Sequence, residues 1–344
     1  MKWYNISDER FSVEGFAVKE YENEKLYRLP EKFKNINEEI SSLAEYSSGC
    51  RIRFKTNSRT VRVKVKLSRG KNPDSSVIKK LSPVLVSGMD MYSAAGQEEY
   101  SFRWITTAPS LFEEEYTADL HKFNSEIEDV LINLPVFNGV KRVELGFADN
   151  AEVFVPREYK IKRPIVFYGS SITQGACASR PGCTYLSIVS RWLDAPYINL
   201  GFAGSAKGEP EIAQYIAGLE MSAFVFDYDH NAPTPEHLEN THKRFYDIVR
   251  EKNPSLPIII LSRPVMHGND DSEKRMHIIN DTYEDALLAG DRNVWFIDGS
   301  TLWEYFDKNE KTSATLDTCH PNDYGFMSMA KIVYPILRKA LTEG

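Results

Sequence analysis

Five short apolar runs in the second half of the chain, at 165–168, 197–200, 224–226, 258–261 and 294–297, constrain the fold more than any other feature. Their apolar residues are consecutive, not alternating, so a strand built from each must be covered on both faces. Helix signals lie between and after them. Thr234 can cap a helix with Pro235 at its first position, and Leu238, Phe245, Ile248 and Val249 mark its buried face up to Asn253-Pro254. The last helix shows Phe326, Met329, Ala330, Val333 and Leu337 at helical spacing, with Pro335 expected to kink it. Strands alternating with helices predict a parallel sheet between two helical layers.

The first half reads differently. Residues 51–56 and 61–67 alternate apolar and basic side chains, the period of a half-buried strand. Asn57-Ser58-Arg59 suits a tight turn that would make them antiparallel neighbours. Pairing would gather Arg51, Arg53, Lys55, Arg62, Lys64 and Lys66 on one solvated face. Further β-like pieces at 84–86, 100–104, 130–134 and 143–147 come without helices between them, which predicts a β-sandwich or jelly roll. Segment 68–76 reads as a surface loop. The charged stretch 155–164, bracketed by prolines, marks the boundary between an all-β domain over 1–156 and an α/β domain over 163–344. A chain of 344 residues also exceeds the size at which one core stops growing.

A formal charge of −7 gives no reason to expect a nucleic-acid partner. No run approaches the roughly 20 apolar residues that span a bilayer, so no membrane partner is expected. The N-terminus turns polar at once, and the expected location is cytoplasmic. Cys50, Cys177, Cys183 and Cys319 form no C-x-x-C pair or zinc spacing and read as free thiols, although Cys177 and Cys183 are near enough in sequence to close a short loop. His230 and His267 have no carboxylates at metal-binding spacing, so neither a metal nor another cofactor is expected.

Four segments carry candidate chemistry. In Gly169-Ser170-Ser171-Ile172, a strand runs into a glycine-flanked serine, which is how an α/β protein exposes a nucleophilic hydroxyl. A serine after a strand is equally ordinary cap chemistry. Asp317-Thr318-Cys319-His320 sets a carboxylate and an imidazole three residues apart, where they share one side of a turn. The carboxylate can then hold one ring nitrogen while the other deprotonates a serine. The stretch 199–204 again ends a strand in glycines, whose backbone N–H groups can approach an oxyanion, or simply turn. Asp227-Tyr228-Asp229-His230-Asn231 follows another strand, and Asn231 can aim its amide at the same oxyanion. Loops at the carboxyl ends of a parallel sheet share one crevice, so the four can converge.

In order and content these blocks resemble the SGNH (GDSL-type) hydrolase superfamily over about 163–341. The family's residue before the nucleophile is usually Asp or Asn, where this chain has Ser170, and its Gly-x-Asn-Asp block appears here as Asp229-His230-Asn231-Ala232. The resemblance implies a flavodoxin-like three-layer α/β fold. It also implies Ser171 as nucleophile, His320 as base and Asp317 as its orienter. The implied oxyanion hole comprises the Ser171 and Gly204 N–H groups and the Asn231 amide. The first half more loosely resembles the jelly-roll domains that precede some SGNH esterases.

These expectations describe a serine esterase working through an acyl-enzyme, with a small-molecule or oligosaccharide ester as partner and an acetyl or other short-chain acyl group. The loop 175–183 follows the nucleophile, and Arg180 is its candidate substrate contact, or else an interdomain ion-pair residue. An acyltransferase or thioesterase on the same three residues is the enzymatic alternative. A carbohydrate-binding protein with a vestigial hydrolase domain is the other. Oligomeric state is left open, with a homo-oligomer allowed.

Overall fold

The computed structural model describes residues 1–34, 36–68, 78–110, 113–265, 270–306 and 310–343. All five apolar runs form strands of one parallel sheet, ordered Tyr197–Gly201, Ile165–Gly169, Ala223–Asp227, Ile258–Leu261 and Val294–Ile297. Alternate residues serve opposite layers. Ile165, Phe167 and Val225 pack under helices Tyr185–Leu193 and Asp323–Glu343. Val166, Tyr168 and Phe226 pack under Pro210–Ala217, Pro235–Lys252 and Asp270–Leu288. This two-sided burial is why the runs lack polar alternation. Thr234 caps its helix as expected, accepting from the His237 N–H, and the last helix passes through Pro335. The strand order is the flavodoxin-like one. The chain leaves the Ile165–Gly169 strand for one neighbour and later returns to the other, so a crevice opens at the carboxyl ends of these strands.

Most of the first half is an antiparallel sandwich of a four-stranded and a six-stranded sheet. Its strands close on a core of Ile52, Phe54, Val63, Val65, Ile132 and Leu145. One expected pairing is wrong. Arg51–Thr56 joins Glu128–Asn133 and Thr60–Leu67 joins Val140–Phe147, so the 57–59 turn crosses from one sheet to the other. Both strands face their apolar residues inward, and their basic faces therefore point in opposite directions. Arg62 and Lys66 pair on the outside with Asp119 and Glu24, each at 2.6 Å. Arg51 is instead almost fully buried against Ser190 and Ala195 of the α/β half, and Arg53 against Arg157 of the connecting segment. Segment 84–86 is likewise not a strand but part of helix Pro83–Ser87, because Ser82 caps it and Pro83 sits in its first turn. Residues 69–76 of the expected loop lie outside the described residues.

The two halves share their interior. Leu85, Val136 and Phe137 join the cluster beneath one face of the parallel sheet, and Leu29, Ile40 and Ala44 join the other. Among the described residues no helix is long and apolar enough to cross a membrane.

Candidate active site

The Gly169-Ser170-Ser171-Ile172 block is built by a turn only glycine allows. A Cβ on Gly169 would lie 2.0 Å from the Asp227 carbonyl oxygen and 2.2 Å from Thr173 Oγ1. The chain therefore turns tightly against the neighbouring strand, Ser170 N–H bonding to the Asp227 carbonyl at 3.0 Å. Ser170 then caps the short helix Ser171–Gln174 by accepting from the Ile172 N–H. Ser171 is its first residue, so its own N–H has no intrahelical acceptor.

The opposite wall is the turn before the last helix. Asp317 Oδ1 accepts from the backbone N–H of His320 at 2.9 Å and of Cys319 at 3.3 Å. Thr318 takes a left-handed φ of 66° inside this turn, unusual for a β-branched residue. The imidazole thereby lies over its own carboxylate, Nδ1 being 3.1 Å from each Asp317 oxygen, while Nε2 reaches 2.9 Å from Ser171 Oγ. Partial burial pushes the Asp317 pKa up, but the hydrogen bonds from His320 outweigh it and hold the group down at about 2. An ionised carboxylate of this kind keeps the Nδ1 proton in place and leaves Nε2 free to accept from the serine. Lys80, from the N-terminal half, adds an ammonium 3.5 Å from Asp317 Oδ2. Its sequence context carries no motif that would single it out.

The glycine and asparagine blocks meet beside this line. Asn199 donates to the carbonyls of Thr173 and Gln174 at 3.0 and 3.3 Å, and its oxygen takes the Gly201 N–H at 2.8 Å. A Cβ on Gly201 would sit 2.2 Å from the Gln174 nitrogen, so this glycine serves close packing and its N–H is already engaged. Gly204 has a φ of 71°, with open space where a side chain would be. Its N–H lies 3.2 Å from Asn231 Oδ1, and Asn231 Nδ2 donates to the Phe202 carbonyl at 2.9 Å. One amide hydrogen of Asn231 is left over.

The other polar residues of that loop have separate work. Asp229 is buried and pairs with Arg263 and Arg275. Burial, aided by nearby Arg263, pulls the His230 pKa down to about 3, so its ring is neutral; it faces Cys319 with 4.0 Å between Nδ1 and Sγ.

Arg180 is not drawn into this line. Its Nη1 pairs with Asp90 Oδ2 at 3.0 Å and bonds the Tyr92 hydroxyl, and the guanidinium stacks 4.0 Å over Phe102. The sandwich thus holds the 179–183 loop, with Asp90 also taking the Gly182 N–H at 2.7 Å. The four cysteines are free thiols. Among the described residues no three metal-capable side chains cluster, and His267 lies outside them.

A family model described as the GDSL-like lipase/acylhydrolase family matches residues 162–338. The chain belongs to that family. A second model, for the N-terminus of SGNH-hydro-type esterases, matches residues 1–153. Among solved structures, this GDSL-family chain is similar to a protein described as a GDSL-like lipase from Bacteroides ovatus ATCC 8483, at 26% identity and a TM-score of 0.84 over 99% of this chain and 98% of that one. It shares its fold with the salicylyl-acyltransferase SsfX3 of a tetracycline biosynthetic pathway, at 18% identity and 0.79 over 98% and 96%. It also shares it with the acetyl xylan esterase Est2A of the rumen bacterium Butyrivibrio proteoclasticus, at 14% and 0.60 over 99% and 98%. No curated protein matches it significantly. The family makes this chain an ester hydrolase, with a parallel SGNH-like α/β half behind an antiparallel β-rich half.

Proposed function

We propose that Ser171 is the nucleophile of this esterase, His320 its general base and acid, and Asp317 the group that orients and ionically supports His320. The observation that carries this is the 2.9 Å approach of His320 Nε2 to Ser171 Oγ, with both Asp317 oxygens behind the ring. His320 takes the serine proton as Oγ attacks the ester carbonyl, returns it to the leaving alcohol, and then activates water against the acyl-enzyme. The carbonyl oxygen, now negative, is met by the Ser171 N–H, the Gly204 N–H and the spare Asn231 amide hydrogen. At 3.2 Å the Gly204–Asn231 bond is at the long end of its range, so that N–H can be shared with an incoming oxyanion.

For substrate, we favour a short-chain ester, acetyl foremost, on a carbohydrate. Support comes from likeness over nearly the whole chain to an acetyl xylan esterase. Acyl transfer to a second alcohol is the other reading, supported by the likeness to an acyltransferase over nearly the whole chain. Both use the same acyl-enzyme and differ in what attacks it. Acetate release from acetylated xylo-oligosaccharides, set against long-chain acyl esters, acyl-CoA and added acceptor alcohols, separates them. Ser171→Ala should abolish each activity and block labelling by a fluorophosphonate. Unchanged rates in that variant would remove the nucleophile assignment.

A further inference from the structure

Arg28 is fully buried, and among the described residues no carboxylate pairs with it. A guanidinium taken out of water without a counter-charge is costly unless its N–H groups are met by well-placed acceptors. Here the acceptors are backbone carbonyls on two separate elements. Nε donates to Tyr46 at 2.9 Å and Nη2 to Leu43 at 2.7 Å, both around the end of helix Glu38–Ala44. Nη1 donates to Asn199 at 2.7 Å and to Gly201 at 3.0 Å. Strand Tyr197–Gly201 is the edge of the parallel sheet, so these alternate carbonyls point away from its one partner strand. The arginine fork closes the open edge where the candidate oxyanion block begins.

The residues just past Gly201 are held by that anchor. The Phe202 ring lies 4.7 Å from the Arg28 guanidinium carbon. The Phe202 N–H bonds to the Gly169 carbonyl at 3.0 Å, which ties it to the nucleophile turn. Its carbonyl takes Asn231 Nδ2, and Asn231 Oδ1 takes the Gly204 N–H. From Arg28 an unbroken run of contacts thus passes through Gly201 and Phe202 to Asn231, and through Asn231 to Gly204.

We propose that Arg28, from the N-terminal half, is the positioning residue of the oxyanion donors, fixing Gly204 and Asn231 through Gly201 and Phe202. This deepens the serine-esterase assignment above and rests on it. Arg28 is fully buried, so its role is to hold the backbone. Its charge persists at neutral pH, since burial pulls its pKa down only to about 10.

A mere edge cap would lower stability and leave turnover of the folded enzyme alone. A positioning residue must also change the reaction. Arg28→Met and Arg28→Lys are therefore compared with the parent on p-nitrophenyl acetate, at a temperature where melting curves show each variant folded. Misplacement of catalytic groups by about 1 Å can cost on the order of 100-fold, so kcat should fall roughly 10- to 100-fold in Arg28→Met with KM within about threefold. Arg28→Lys keeps the charge without the fork and should fall between the two. The sharper readout is Arg28→Met combined with Asn231→Ala. If Arg28 acts through Asn231, the double variant should be far less impaired than the product of the two single losses. Arg51→Met, which loses a buried contact to Ser190 at the same interface, should melt earlier with unchanged kcat.

Folded Arg28→Met and Arg28→Lys with parental kcat, or strictly multiplicative losses in the double variant, overturn the proposal. If Arg28→Met does not fold, Arg28→Lys alone and paired with Asn231→Ala decides by the same two criteria. Retained activity in Ser171→Ala would instead strike the underlying assignment, which keeps the two failures apart.

Discussion

Lys80 brings its ammonium to within 3.5 Å of Asp317 Oδ2, so a cation from the N-terminal half faces the same carboxylate that holds His320. In Lys80→Met that ion pair is lost while the Asp317 grip on His320 stays. Lys80 is mostly exposed, so kcat/KM on p-nitrophenyl acetate should change by less than about threefold, and the change should fade in high salt. A loss above about tenfold, or one that high salt does not reduce, would show that Lys80 does more than pair with Asp317.

Asn231 should matter through chemistry more than through folding. Asn231→Ala is expected to lower kcat on p-nitrophenyl acetate about 100- to 1,000-fold, the usual cost of one oxyanion donor, with little change in KM. A loss below about threefold would take Asn231 out of the oxyanion hole.

Gly169→Ala tests the turn that presents Ser171. The new methyl meets a backbone oxygen of the adjacent strand at 2.0 Å, and neither strand can retreat without breaking the sheet. Overpacking of this kind costs on the order of 1–3 kcal/mol, read as a lower urea midpoint at unchanged slope. An unshifted midpoint would mean the turn has room that the geometry denies.

Asp227 gives a pH-dependent prediction. Burial, reinforced by Asp229 and only partly offset by the Thr173 hydroxyl, pushes its pKa up to about 7. The folded state therefore holds a proton that the unfolded chain releases near pH 4, so this group withdraws stability as pH rises from about 4 to 7. Asp227→Asn cannot ionise. Its melting temperature relative to the parent should rise across that window and level off above it. A constant difference between about pH 4.5 and 8 would refute the buried proton.

Arg180→Met should cost stability at the junction of the two halves. Asp90 is wholly buried and would lose its cation while keeping Asn133 Nδ2 and the Gly182 N–H. About 1–3 kcal/mol is expected, by denaturant unfolding. If kcat/KM on an acetylated oligosaccharide falls while stability holds, Arg180 is a substrate contact after all.

Much of the α/β half was legible because its rules are local. Consecutive apolar residues marked 165–168 and its partners, and Thr234-Pro235 marked a helix start whose cap the structure shows. In the sandwich, alternation tells which faces are buried but not which strands pair, so 51–56 and 61–67 look like hairpin partners and are not. Segment 84–86 is strand-like in composition, yet Ser82-Pro83 before it is ordinary helix-start chemistry. Lys80 and Arg28 carry no signal, since a single lysine or arginine in a short connection has no pattern of its own.

The turns themselves are set by neighbouring residues. Gly169 and Ser170 dictate how Ser171 is presented, and three-residue spacing lets Asp317 grip His320, because backbone sterics and capping act over a few bonds. Bringing Ser171 to His320 across 149 residues is a matter of packing alone, as is threading Arg28 under the end of an edge strand. Such contacts depend on how separately formed layers stack, and burial of apolar surface, which drives the stacking, is blind to which polar groups it brings face to face.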